Sequence, residues 1–258
     1  MPTTQTADRS LIPANGTALY RACRCFLRLL FGVYNRWEVS GREHVPATGG
    51  VLLIANHTSY ADPPIVGAAC LRPVNFMAKA ELFRIPVLSA VISRTHAFPV
   101  KREAADQQAL RRALHLLDNG QVLLIFPEGT RSPDGRLMPF EAGAAFLALA
   151  GKAQVVPVGI DGADRLLPRG KPVLLAAKLR VRFGPPLDLS EFQAQRRSRE
   201  VLQQACEVMS PALDDARRMP VPPSRHASLQ TGDVIKRTCS TTARLLCLIG
   251  RLGSLQAE

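Results

Sequence analysis

Between residues 49 and 186, short apolar runs alternate with stretches whose apolar residues recur at helical spacing. The segments 51–55, 75–77, 97–100, 122–126, 155–160 and 179–183 are short and mostly aliphatic, so they are expected to be strands. The segments 63–71, 85–93, 103–118 and 141–149 repeat their apolar residues every three or four positions and are expected to be helices. Asn119-Gly120 stops the third of these, because glycine tolerates the left-handed conformation that ends a helix. Strands without polar alternation are buried on both faces, and the intervening helices supply the cover. The expected class is therefore α/β, a mostly parallel sheet flanked by helices, occupying residues 41–218.

The flanks differ in character. A charged helix is expected from about residue 190 to 218, and residues 219–233 are dense in Pro and Ser, which marks a linker. A helical pattern resumes at Val234, with Arg237, Arg244 and Arg251 seven apart on one face. A surface helix, a docked helix and a loose tail all fit that pattern over 219–258. Residues 1–17 form a polar lead-in, and 18–33 read as a basic amphipathic helix completing an N-terminal region of 1–40. At about 100° per residue, Arg21, Arg24 and Arg28 share one stripe, while Leu19, Cys23, Phe26 and Leu30 lie opposite. Two readings stand for this helix. It packs its apolar face on its own domain, or it lies at a membrane surface with Arg21, Arg24, Phe26, Arg28 and Leu30 in contact.

Charge narrows the choice of partner. A net charge of +12 calls for an anionic surface: nucleic acid, acidic headgroups or a phosphorylated substrate. Aromatic residues are only 5% of the chain, too few for the stacking platforms of single-strand binders. No helix-turn-helix, zinc-finger or RNA-recognition pattern occurs, so anionic lipid is favoured and nucleic acid is not expected. No run of about 18 apolar residues is present, so the contact expected is peripheral. The six cysteines form no C-x-x-C pair and no histidine cluster accompanies them, so no metal site is expected. Without a secretory pattern at the N-terminus, the expected place is the cytoplasmic face of the inner membrane.

Three polar stretches follow apolar runs, where α/β folds place reactive groups. In Asn56-His57-Thr58-Ser59-Tyr60-Ala61-Asp62-Pro63, the histidine and aspartate are five apart, about 140° on a regular helix. They meet only if the intervening residues turn, with Asp62 at a helix N-cap and Pro63 at the first helical position. A carboxylate on one ring nitrogen fixes the tautomer and leaves the other free to take a proton. Ser59 is open to two readings, a nucleophile or a hydrogen-bonding residue of the loop. In Phe126-Pro127-Glu128-Gly129-Thr130-Arg131-Ser132, the glycine permits close approach, Thr130 and Ser132 offer hydroxyls, and Arg131 offers a planar fork suited to phosphate. Glu128 offers an acceptor for a sugar or glycerol hydroxyl. Phe98-Pro99-Val100-Lys101-Arg102 adds a second guanidinium.

NHTSYAD, FPVKR, FPEGTRS and the strand VVPVGI occur in the order and spacing of the four blocks of the glycerolipid acyltransferase family, which residues 35–190 resemble. The resemblance implies a fatty acyl transfer from acyl-coenzyme A or acyl carrier protein to the free hydroxyl of 1-acylglycerol-3-phosphate, a lysophospholipid. It implies His57 as general base, Asp62 as its orienting partner, and Arg102, Glu128, Gly129, Thr130 and Arg131 as the acceptor site. It places Pro157 in a strand on the acyl side, and no cofactor is expected beyond the thioester co-substrate. The family often has lysine where this chain has Glu141, with Arg136 as a nearby cation. Another lysolipid acceptor, a thioester hydrolase and a non-catalytic lipid-binding module remain as alternatives.

Overall fold

The computed structural model of the chain describes residues 16–100, 106–151, 153–168 and 175–219. The chain divides into two compact units, Met1–Pro220 and Val221–Glu258, and every described residue belongs to the first. The expected tail helix with Arg237, Arg244 and Arg251 lies outside the described residues.

Seven strands among the described residues form one sheet: β1 (Glu38–Ser40), β2 (Gly50–Ala55), β3 (Val74–Lys79), β4 (Ala97–Val100), β5 (Val122–Ile125), β6 (Ala153–Asp161) and β7 (Arg180–Phe183). Their order is β1-β7-β6-β2-β5-β3-β4, and every neighbouring pair is parallel except β6–β7. The expected α/β class is the observed one. β1 escaped the sequence because its three residues are half-buried and include no apolar run.

Alternation along β2 builds the core in two layers. Val51, Leu53 and Ala55 face a cluster containing α1 (Ala18–Tyr34) and α2 (Asp62–Ala69). Leu52 and Ile54 face the other cluster, built from α4 (Gln107–Asp118), α5 (Ala142–Ala150) and α8 (Arg199–Arg218). α8 approaches β6 so closely that a Cβ on Gly159 would lie 2.4 Å from the Ala216 carbonyl oxygen, so only glycine fits there. The single helix expected over 190–218 is two, α7 (Ser190–Gln193) and α8. The Ser198 hydroxyl accepts from the Val201 N–H and starts the second one afresh. The helix expected from residue 103 begins at Gln107, behind an Asp106 side chain that accepts from the Ala109 N–H.

α1 departs from the surface reading in an instructive way. The Arg28 Nε donates to the Ala68 carbonyl (2.8 Å) and its Nη2 to that of Cys70 (3.2 Å), while Arg24 donates to Leu71 (2.9 Å). Two of the three stripe arginines therefore cap the C-terminal end of α2, where unpaired carbonyls and the helix dipole favour cations. Burial, reinforced by Arg24 and Arg42, lowers Arg28 to about 10, still charged at neutral pH. Leu30 packs partly against the core beside the buried Phe31, and it too turns away from the surface contact expected of it. The open side of α1 is instead apolar: Leu19, Phe26, Leu29 and Val33 are all exposed, and only Arg21 of the stripe remains outward.

Behind α1, the ring of His96 stacks on Tyr20 with centroids 4.7 Å apart, and neither of its ring nitrogens has a hydrogen-bond partner. Burial lowers its pKa to about 4. An unfolded histidine takes up its proton near 6.5, so between those values the unfolded chain binds more protons and stability falls as pH falls. His96→Phe keeps the stack and removes the proton uptake. The loss of unfolding free energy from pH 7 to pH 4.5 is expected to shrink by about 1–2 kcal/mol, after allowance for solvent screening. Denaturant melts at the two pH values check this, and equal losses in variant and wild type contradict it.

Candidate active site

β2 and β5 are parallel neighbours, so the loops at their C-terminal ends leave the same edge of the sheet. β5, β3 and β4 lie on one side of β2, and β6 and β7 on the other. Open α/β sheets form their ligand crevice at such a reversal of strand order. Residues 56–62 follow β2 and residues 126–132 follow β5, so the topology brings the first and third motifs together.

Asn56 fastens the first loop. Its amide donates to the Ile160 carbonyl (2.9 Å) and its oxygen accepts from the Ile160 N–H (2.8 Å), at the end of β6. His57 follows, 6% exposed, with Nδ1 2.8 Å from Asp62 Oδ2. The same carboxylate oxygen accepts the N–H groups of Thr58 (2.7 Å) and Ser59 (2.8 Å). An oxygen that gathers three donors fixes Nδ1 as the protonated nitrogen and leaves Nε2 as an acceptor. The turn expected between the two residues is therefore present, but Asp62 is not the N-cap of α2. It stands at the first helical position and makes no capping bond, because its carboxylate bends back to the histidine. Phe126 lies flat against the imidazole, with ring centroids 4.0 Å apart and planes inclined by 18°.

The loop after β5 clasps both peptide groups of His57. Glu128 Oε1 accepts the His57 N–H (2.9 Å), and the Ser132 N–H donates to the His57 carbonyl (2.7 Å). Glu128 Oε2 accepts from the Met138 N–H (3.0 Å), so each oxygen of this buried carboxylate faces backbone rather than a substrate hydroxyl. Burial pushes the Glu128 carboxyl above the ordinary range, and the bonds from His57 and Met138 work against that rise. Gly129 sits at φ +65°, with its N–H donating to Phe126 (3.0 Å) to close a turn, so this N–H is already engaged within the loop. A Cβ there would lie 3.1 Å from Glu141 Cγ.

The remaining side chains divide by role. Thr130 is exposed, and the Arg131 guanidinium carbon lies 3.7 Å from the ring centre of Tyr60. The Ser132 hydroxyl donates to Asp134 (3.1 Å), inside the following turn, where the exposed Arg136 also pairs with Asp134. Ser59 is buried, donates to the Leu167 carbonyl (3.0 Å) and accepts from the Ala61 N–H (3.2 Å), which favours the loop reading over the nucleophile. Pro157 is buried in β6. Arg102 lies outside the described residues. Among the described residues, no three His, Cys, Asp or Glu side chains are placed to hold a metal ion. Sequence reasoning missed three contacts at the site: Asn56 on Ile160, Phe126 on His57, and Tyr60 on Arg131. The first two residues flank recognised motif positions, whereas nothing along the chain announces the third.

A carboxylate-oriented histidine at the reversal point of an α/β sheet, with one ring nitrogen that no hydrogen bond engages among the described residues, is an arrangement able to take a proton from a hydroxyl. The acyltransferase family model matches residues 36–161. Over 198 residues it is 28% identical to the 1-acyl-sn-glycerol-3-phosphate acyltransferase of Bacillus subtilis (strain 168), covering 76% of this chain and 96% of that protein. Identity to the chloroplastic 1-acyl-sn-glycerol-3-phosphate acyltransferase LPAT1 of Arabidopsis thaliana is 33% over 142 residues, covering 54% of this chain and 39% of that one. The solved structure of the 1-acyl-sn-glycerophosphate (LPA) acyltransferase PlsC from Thermotoga maritima matches with a TM-score of 0.63 at 27% identity, over 79% of this chain and 81% of that chain. The protein is thus an acyltransferase.

Proposed function

We propose that the protein moves a fatty acyl group from a thioester, acyl-coenzyme A or acyl carrier protein, to the free hydroxyl of 1-acylglycerol-3-phosphate, giving phosphatidic acid for phospholipid synthesis. The observation that carries this reading is the His57–Asp62 pair, clasped through the His57 peptide by the loop that bears Arg131. The names of the relatives support the choice of acceptor.

The acceptor hydroxyl donates to Nε2 of His57, which takes its proton as the oxygen attacks the thioester carbonyl. Asp62 holds the other ring nitrogen and stabilises the imidazolium as it forms. Phe126, flat against the ring, keeps its plane and offers an electron-rich face to the cation. Collapse of the tetrahedral intermediate breaks the carbon–sulfur bond, and the imidazolium returns the proton to the departing thiolate. Arg131 and Arg102 hold the acceptor phosphate, with Thr130 at the rim, and Glu128 serves by bracing the histidine. A panel of lysolipids with one labelled acyl thioester tests the acceptor. Lysophosphatidate is expected to show the highest kcat/KM, and a preference for an acceptor without phosphate would overturn the assignment.

The membrane reading now rests on the exposed apolar side of α1 without the arginine stripe. No helix among the described residues is long and apolar enough to cross a membrane. Phe26 is 64% exposed and Val33 71%, on the same side as Leu19 and Leu29. An exposed apolar row on a surface helix suits the boundary between headgroups and acyl chains. Partial burial of Phe26, Leu29 and Val33 contributes roughly 1 kcal/mol each, so changing all three to Ser is expected to weaken binding to anionic vesicles by about 100-fold. Co-sedimentation measures it, and unchanged binding contradicts the assignment. Changing Arg24 and Arg28 tests something else, the attachment of α1 to α2.

A further inference from the structure

Tyr60 has no part in the mechanism above, and packing does not explain it. It is 58% exposed, so its ring contributes little to the core. Yet the residues on either side of it are held by hydrogen bonds. On one side, the N–H groups of Thr58 and Ser59 are bound to Asp62 Oδ2; on the other, Ala61 donates to the Ser59 hydroxyl, itself anchored to Leu167. The loop that presents His57 therefore also fixes the direction in which the Tyr60 ring leaves the chain. That ring stands over Arg131, with the guanidinium carbon 3.7 Å from its centre.

We propose that Tyr60 is a positioning residue for acceptor binding: its ring carries the Arg131 guanidinium and sets the plane in which that group meets the acceptor phosphate. The inference rests on the reading of Arg131 as a phosphate ligand. A stacked guanidinium uses its face, whereas its N–H donors point outward in its own plane. The aromatic platform thus orients the fork without competing for the donors. It also ties phosphate recognition to the His57 loop, because Tyr60 lies between His57 and Asp62 in the chain. Arginine is otherwise a long side chain with several rotatable bonds, and holding it in advance lowers the ordering cost of binding.

Steady-state kinetics with each substrate varied in turn test the proposal. Tyr60→Leu is expected to raise the acceptor KM by roughly tenfold, the loss of a partly desolvated cation–π contact. Its kcat, donor KM and melting temperature are expected to stay near wild type. Tyr60→Phe keeps the ring and is expected to restore the acceptor KM to within about twofold of wild type, since the stack does not need the hydroxyl. On an Arg131→Ala background, Tyr60→Leu is expected to add nothing. An unchanged acceptor KM in Tyr60→Leu overturns the proposal, provided Arg131→Ala alone raises it. Equal damage in Tyr60→Phe and Tyr60→Leu also overturns it, by assigning the effect to the hydroxyl. If Arg131→Ala itself leaves the acceptor KM unchanged, the phosphate reading of Arg131 falls and takes this inference with it.

Discussion

Replacing His57 by Ala is expected to lower kcat for acyl transfer by ~10²–10⁴-fold, the range ordinarily supplied by a positioned general base. The cause is local. Among the described residues no hydrogen bond engages Nε2 of His57, and no other imidazole belongs to the loops that follow β2 and β5. Asp62→Asn is expected to lose most activity as well, because an amide cannot offset the charge of the imidazolium. Its oxygen must also replace a carboxylate oxygen that holds three donors at once. The readout is kcat from initial rates, with melting temperature as the control for folding. A His57→Ala protein retaining a third of wild-type turnover would remove the histidine from the chemistry.

The second large effect is expected at Glu128, and its form separates two roles. If the carboxylate bound the acceptor, as the motif alone suggests, its loss would raise the acceptor KM. The structure gives each of its oxygens to a backbone N–H, that of His57 and that of Met138. In Glu128→Gln one of those N–H groups faces an amide NH2 instead of an acceptor. A buried donor left without a partner costs about 1–3 kcal/mol, and the strain falls on the peptide that carries the base. Misplacing a catalytic group by a fraction of an ångström to 1 Å costs up to about 10²-fold, so kcat is expected to fall 10- to 100-fold. The acceptor KM is expected to change by less than about threefold, in keeping with an effect on transition-state rather than ground-state binding. A rise in acceptor KM with kcat intact would return Glu128 to the acceptor site.

The strands were easy to read because a doubly covered parallel sheet needs uninterrupted apolar residues, and 51–55 and 122–126 supply them. β1 offered three half-buried residues and no such run. Residues 190–218 kept helical periodicity throughout, so the restart at Ser198 showed only once its hydroxyl was seen capping Val201. The His57–Asp62 pairing was visible because a histidine and an aspartate five apart leave a turn as the one local way to meet. What Arg24 and Arg28 face was not visible. A stripe on a helix gives direction but not neighbours, and the carbonyls they cap lie 40 to 47 residues further along the chain. Glu128 misled for a similar reason: a carboxylate in a polar motif reads as a ligand until both its oxygens are found on backbone N–H groups. Tyr60 over Arg131 joins positions 71 apart, which no local pattern encodes.

The most direct test follows thiol release and lipid product together, with purified protein and an acyl thioester, in the presence and absence of lysophosphatidate. Acyl transfer through His57 predicts that thiol appears only when lysophosphatidate is present, mole for mole with phosphatidic acid. It also predicts that both signals fall together in His57→Ala. Thiol released at the same rate without acceptor, with free fatty acid as the product, would make the His57–Asp62 pair the engine of a hydrolase and contradict the proposed function.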